Sequence, residues 1–198
     1  MPETPAAEPG RVDEMTVEPA SFEAFTALPE GTPAQYIDGQ IYTSPAPRPR
    51  HQDAVQNVYR ALFAYAIEHG GYAGVAPYDV LLEAERSVQP DAFYLSADRR
   101  DRISERGIEG APTLVIEVLS PSTAYLDLSV KRRAYEESDL EELWVVDPGE
   151  AQSVMVLTRE QPGKTGLSRT AYVYDAGPVA SSVLDGFEVE AADVFARP

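Results

Sequence analysis

Two carboxylates stand inside stretches that otherwise read as apolar β-strands. Asp91 follows Gln89-Pro90 within Val88 to Leu95, and Glu117 lies in Thr113-Leu114-Val115-Ile116-Glu117-Val118-Leu119. The second stretch is short, β-branched and bounded by Pro112 and Pro121, which marks it as a strand. An acid in a buried strand is costly unless a metal, a cation or hydrogen bonds balance its charge. Two such acids on neighbouring strands would supply hard oxygen ligands for Mg²⁺ or Mn²⁺, with a backbone carbonyl at Val118 or Leu119 as a further ligand. That ligand type serves metal-assisted phosphodiester hydrolysis, in which a further group positions water or stabilises charge at the attacked phosphate. Lys131, fourteen residues beyond Glu117, could reach the same place from a helix. His51 opens the first long helix and could contact metal, water or phosphate.

Each residue also has a plainer reading. Pro-Asp is a common turn dipeptide, and Glu117 could pair with a core arginine. Asp127 and Lys131 are four apart in the acid-first order that favours a helical ion pair. A histidine at a helix end is often a capping or surface group, and His69 beside Gly70-Gly71 reads as a helix-end cation. Tyr135 shares the Lys131 face at four-residue spacing and reads as a packing residue.

The elements that must position these groups follow from pattern. Residues 1–16 are rich in Pro, Ala and Glu and read as a loose acidic tail before one domain over 17–198. Ser21 is placed to cap a short helix. Ala34 to Tyr42 reads as a hairpin turning at Asp38-Gly39. A helix is predicted from His51 to His69, with Val55, Val58, Leu62, Tyr65 and Ala66 facing the core and Gly70-Gly71 ending it. Tyr72 to Glu83 and Val88 to Leu95 read as neighbouring strands turning at Glu85-Arg86. Ser96 to Gly110 reads as a loop, or as a short helix plus loop. After the Thr113 to Leu119 strand come a helix from Asp127 to Ser138 and a strand from Glu142 to Asp147. Ser153 to Thr158 and Arg169 to Tyr174 read as an antiparallel pair, with small strands at Val179 to Leu184 and Phe187 to Val189. Strands flanked by two principal helices imply a mixed α/β sandwich.

Composition bounds the function. Sixteen Lys plus Arg against thirty-three Asp plus Glu give a net charge of −17. This argues against a broad surface for non-specific duplex binding, whose affinity comes mostly from phosphate neutralisation. The clusters Arg99, Arg100, Arg102, Arg106 and Lys131, Arg132, Arg133 read as solvated faces. With no cysteine, thiol nucleophiles, zinc-thiolate sites and disulfides are excluded. No apolar run reaches the ~20 residues needed to span a bilayer, and no secretory signal is read at the N-terminus. A cytoplasmic protein fits.

The pattern as a whole resembles a known family. Tyr36-Ile37-Asp38-Gly39, Ser44-Pro45-Ala46-Pro47, His51-Gln52, Pro90-Asp91, Ala111 through Thr123, Asp127, Lys131, Tyr135 and Leu143-Trp144-Val145-Val146-Asp147-Pro148 occur in the expected order. The chain is similar to the Uma-type restriction endonucleases, a former domain-of-unknown-function family within the PD-(D/E)XK nuclease-like superfamily. The likeness spans about Phe22 to Phe195. It implies a restriction-endonuclease-like α/β fold, a mixed sheet flanked by helices with extra terminal strands. It also implies a Mg- or Mn-dependent endonuclease acting on DNA, with Asp91, Glu117 and the Leu119 position at the metal. The superfamily lysine belongs two residues after the acid, where this chain has Leu119. The resemblance therefore points to the variant with lysine on the following helix, Lys131. The family often carries glutamate where this chain has Gln35, so Gln35 joins His51 as a second-tier site residue. The acidic surface and Gln35 favour a rival of another class, a weak or inactive nuclease-fold module for binding nucleic acid or protein. The apolar terminal strands would permit a homodimer.

Overall fold

A computed structural model describes residues 14–29, 31–83, 85–150, 152–159, 167 and 172–197. The expected tail falls almost wholly outside the described residues, as does the first half of the Arg169 to Tyr174 stretch. Two mixed sheets make up most of the fold. A six-stranded sheet is ordered β13-β12-β11-β10-β7-β4 and a seven-stranded one β1-β3-β2-β6-β5-β9-β8. The first comprises β4 (Tyr72–Val75), β7 (Ala92–Leu95), β10 (Leu114–Val118), β11 (Glu142–Asp147), β12 (Ser153–Thr158) and β13 (Tyr172–Tyr174). The second comprises β1 (Thr16–Pro19), β2 (Ala34–Ile37), β3 (Gln40–Thr43), β5 (Val80–Leu82), β6 (Arg86–Val88), β8 (Ile103–Ser104) and β9 (Gly107–Glu109). β14 (Pro178–Ala180) and β15 (Glu188–Glu190) form a separate antiparallel pair, shorter than the stretch expected at Val179 to Leu184. The mixed α/β class and the flanking helices are as expected.

α1 (Phe22–Thr26) is capped by Ser21, whose hydroxyl accepts from the Ala24 N–H at 3.1 Å. α2 (Pro49–His69) begins two residues earlier than predicted and ends at Gly70, whose φ of 74° is the left-handed conformation that glycine adopts freely. Its Ala54, Val55, Val58, Leu62 and Ala66 are buried against the six-stranded sheet. Tyr65 is only partly buried there. The other face of that sheet packs on the seven-stranded sheet and on α3 (Arg132–Glu137).

β10 is buried on both faces, which explains its nearly continuous apolar sequence. Leu114, Ile116 and Val118 join the α2 core, while Val115 joins the second core. Alternation puts Glu117 on the Val115 face. β10 runs parallel to β11 and antiparallel to β7, with Ile116 opposite Ala92.

Two predicted strands are each divided. Tyr72 to Glu83 becomes β4 and β5, and Val88 to Leu95 contributes to β6 and β7. β4 pairs with β7 in one sheet, and β5 pairs with β6 in the other. Pro77 and Pro90 supply no N–H for a continuous ladder at the two crossing points. The Asp79 carbonyl instead accepts from the Ile108 N–H. The turn centres on Glu85 (φ 56°), and Arg86 already belongs to β6. Ser96 to Gly110 holds a 3₁₀ turn, Ala97–Arg102, followed by β8 and β9. The helix expected from Asp127 begins as a π-helical turn, Leu126–Lys131, and continues as α3. The first arginine cluster is only in part a solvated face: Arg106 is exposed, whereas the other three are engaged by the fold. Arg99 and Arg102 bind the carbonyl of Ala111 and pair with Asp139, and Arg100 donates to the Gly70 and Gly71 carbonyls.

Candidate active site

The site lies where the ladder between β7 and β10 stops. Continuing the register one step beyond Ile116–Ala92 sets Glu117 across from Asp91. Pro90 cannot extend the pairing, and the Asp91 side chain takes over: its Oδ2 accepts the Val118 N–H at 2.7 Å. His51, in the first turn of α2, brings Nε2 to 3.3 Å from the same oxygen. The His51 Nδ1 is buried with no hydrogen-bond partner among the described residues.

Glu117 is fully buried, and both its oxygens are engaged. Lys131 Nζ donates to Oε2 at 2.8 Å, and the Tyr135 hydroxyl donates to Oε1 at 2.6 Å. Lys131 also lies 3.1 Å from Asp127 Oδ1 and donates to the Gln89 carbonyl at 3.2 Å. Thr123 Oγ1 holds the other Asp127 oxygen at 3.0 Å. The i, i+4 pair foreseen between Asp127 and Lys131 is therefore present, but it is buried and shared with Glu117. Lys131 thus makes the ion pair of the plain reading and also reaches Glu117.

Burial pushes the Glu117 carboxyl up to about 8, against the pull of Lys131, and the Asp127 and Asp91 charges add to the rise. Burial disfavours the Lys131 ammonium, yet Asp127, Glu117 and Asp91 together raise its pKa above the ordinary lysine value. Tyr135 is raised well above its usual value by burial and by the facing Glu117. The tyrosine hydroxyl therefore serves as a donor, not a titrating group.

Gln35 is buried on β2, and its Oε1 accepts the Gln89 N–H at 2.8 Å. It thus fixes the segment whose carbonyl receives Lys131. A cavity of about 680 Å³ opens beside these groups. Gln35, His51, Gln89, Asp91, Asp127 and Lys131 line it, and Arg48 stands at the start of α2 on the same wall. Leu119 does not line it; its N–H donates to the Val146 carbonyl and its side chain packs on the second core.

The structure brings Asp91, Glu117, Lys131, His51 and Gln35 to one place and leaves Leu119 to the side. Sequence reasoning assigned Tyr135 to packing, although its spacing from Lys131 was the signal for its contact with Glu117. In sequence Gln89 reads only as part of a strand, and nothing local reveals that its backbone links Lys131 to Gln35.

The donor type suits Mg²⁺ or Mn²⁺, which bind through one or two carboxylates and retain waters. Asp91 presents its carboxylate to the cavity, and its Oδ1 takes no hydrogen bond from the described residues. Among the described residues no group of three acids or histidines is arranged to hold a metal by itself. An ion bound here would have few protein ligands and keep open positions; it would not sit in an all-protein cage.

Fold and site together define a protein of nuclease-like architecture. The chain belongs to the Uma2 family, described as "Putative restriction endonuclease", whose model matches residues 22–192. Among solved structures it is similar to a putative nuclease belonging to DUF820 from Anabaena variabilis ATCC 29413. That likeness has 21% identity and a TM-score of 0.72, and covers 89% of this chain and 98% of the other. No curated protein matches the chain. Among the described residues no helix is long and apolar enough to cross a membrane.

Proposed function

We propose that this protein is a Mg²⁺- or Mn²⁺-dependent endonuclease hydrolysing DNA phosphodiester bonds, with a site of the PD-(D/E)XK kind. The observation that carries this reading is the meeting of Asp91 and Lys131 at the wall of one cavity, with the buried Glu117 bonded to Lys131. Asp91 and Glu117 would hold the ion, which when bound polarises a phosphoryl oxygen and lowers the pKa of water. Lys131 supplies a fixed cation to charge developing on the phosphate, worth most in a site with little water. Tyr135 orients Glu117, and Gln35 holds the Gln89 carbonyl that steers Lys131. His51 sets the Asp91 carboxylate through Oδ2.

Supercoiled plasmid incubated with Mn²⁺ or Mg²⁺ tests the reading. Nicking or linearisation by wild type, abolished by EDTA, by Asp91→Asn and by Glu117→Gln, is the expected result. Cleavage that survives both substitutions would remove the site from the reaction.

One observation favours a second reading, a module that binds nucleic acid without cutting it. Glu117 is sealed from solvent with both oxygens held, and an ion could use it only if Lys131 or Tyr135 released one. Saturable DNA binding with no cleavage under any divalent ion would select this alternative.

A further inference from the structure

A second hollow, of about 490 Å³, adjoins the cavity at Asp91. Gly31, Pro77 and Gln89 line both. Gln89 is the partition. Its carbonyl receives Lys131 on the catalytic side, and its side-chain amide donates to Asp79 Oδ1 at 2.9 Å on the other. Whatever lies in the hollow is therefore one residue's width from the group that holds Glu117.

The hollow differs in chemistry from the cavity it joins. Phe22 and Phe25 of α1 and Tyr78 form its walls. Phe22 and Phe25 pack on Tyr36 with ring centroids 5.4 and 5.8 Å away, which fixes their orientation. α1 itself buries none of its residues completely, so these rings stay partly open. At the inner end lies Ser87, a fully buried residue whose hydroxyl has no hydrogen-bond partner among the described residues. A buried polar atom left unpaired costs about 1–3 kcal/mol, and a ligand edge that reaches it would offset that cost. Asp79 and Gln89, bonded to each other, make a polar stretch of the same wall, and Arg106 stands exposed at the lining. Arg106 makes no side-chain ion pair among the described residues, unlike Arg86, Arg99 and Arg102.

Aromatic faces, a polar edge and an unpaired arginine beside a phosphodiester site suit one ligand class. We infer that the hollow is a nucleobase subsite and that the substrate is single-stranded DNA, with one base held against Phe22, Phe25 and Tyr78 while the adjoining phosphate lies at Asp91. Paired bases are stacked inside a duplex and cannot enter a side hollow; an unpaired or extruded base can. The charge distribution agrees. A chain of −17 offers no broad cationic face, whereas Arg48 on the cavity wall and Arg106 at the hollow suit a narrow strand track. This inference rests on the nuclease reading for the position of the phosphate.

The test is binding by fluorescence anisotropy in EDTA, using the full chain and three labelled probes. These are a single-stranded thymidine 12-mer, an abasic strand of the same length and a duplex of the same length. The thymidine strand should bind at least about fivefold more tightly than the abasic strand, as expected for stacking of one base, and more tightly than the duplex. Phe25→Ala should close the gap between thymidine and abasic strands, and Arg106→Ala should weaken both. Because Phe25→Ala removes a packed ring, its melting curve is recorded alongside; Arg106 is exposed and serves if that variant does not fold. Equal affinity for thymidine and abasic strands, preference for the duplex, or no binding overturns the inference. The nuclease reading is checked apart from this, by Mn²⁺-dependent hydrolysis of bis(p-nitrophenyl) phosphate, too small to need the hollow. Strand binding of the expected pattern without that hydrolysis would keep the base subsite and remove the nuclease.

Discussion

Two glutamates on adjacent strands are completely buried, and they are held in opposite ways. Glu117 on β10 faces a cation and a phenol, Lys131 and Tyr135. Among the described residues Glu142, at the start of β11, meets only neutral donors: Trp144 Nε1 at 2.8 Å on Oε1, with Thr158 Oγ1 at 3.1 Å and the Ser182 N–H at 2.8 Å on Oε2. Glu142 ties β12 and the segment after β14 to the central sheet and lines neither cavity. Glu117 is packed among charges one step from an open cavity. Burial alone therefore does not mark a functional acid. The nature of the partner separates the two, because the Lys131 ammonium 2.8 Å from Glu117 also lines the open cavity.

The largest difference is expected when the cation is removed. Lys131→Met leaves Glu117 and Asp127 buried beside each other with no counter-charge. Breaking a buried ion pair from one side costs about 3–5 kcal/mol, read as a lowered urea midpoint. Glu142 has no such cation to lose. Glu142→Gln keeps an acceptor but turns an amide toward the Trp144, Thr158 and Ser182 donors, at about 1–3 kcal/mol. If the two substitutions cost the same, the distinction between the glutamates fails.

Next comes pH. Glu117 keeps its proton in the folded protein up to about 8, whereas an ordinary glutamate releases it near 4.5. Between these values the folded state binds the extra proton, so this group's contribution to stability falls as pH rises and levels off above about 8. Urea unfolding from pH 5 to 9 should show that decline in wild type and lose the Glu117 component in Glu117→Gln. A slope unchanged by the substitution would assign the pH dependence to other groups. Lys131, whose pKa is also raised, works in the same direction but at higher pH: its contribution is complete below about 10.5 and is lost only above that.

Much of this contrast was readable in the sequence, and the remainder depends on distant contacts. Glu117 stands out because an acid interrupts a β-branched run, and the 3.6-residue spacing carries Lys131 and Tyr135 onto one helical face. The hairpin at Asp38-Gly39 and the face of α2 follow from local turn chemistry and periodicity. Glu142 gave no comparable signal, since an acid at a strand start reads as solvent-exposed until Ser182, forty residues on, is seen to cover it. Division of the Tyr72 to Leu95 region between two sheets was also hidden. Alternation is the same on either side of the crossing, and only partners elsewhere in the chain decide which sheet each piece joins. The β1 strand pairs with β3 through backbone alone, with exposed side chains that carry no hydrophobic pattern. The aromatic hollow needed α1, the loop before β5 and β6 brought together, which no local window contains.

Smaller effects should separate the donors. Tyr135→Phe deletes a 2.6 Å hydrogen bond to a buried carboxyl oxygen, and leaving that oxygen unpaired costs about 1–3 kcal/mol. Thr158→Val deletes one of two donors to Glu142 Oε2 at nearly constant volume. The Ser182 N–H still serves that oxygen, so the expected loss is about 0.5–1.5 kcal/mol. The two variants also differ in kind. Freed from Tyr135, Glu117 can rotate toward the cavity or settle wholly on Lys131, so Tyr135→Phe should change Mn²⁺ affinity measured calorimetrically. Thr158→Val should leave that affinity unchanged, since Glu142 faces no open site. Equal metal binding in both variants and wild type would mean that Tyr135 only fills space, and that Glu117, like Glu142, is a structural acid.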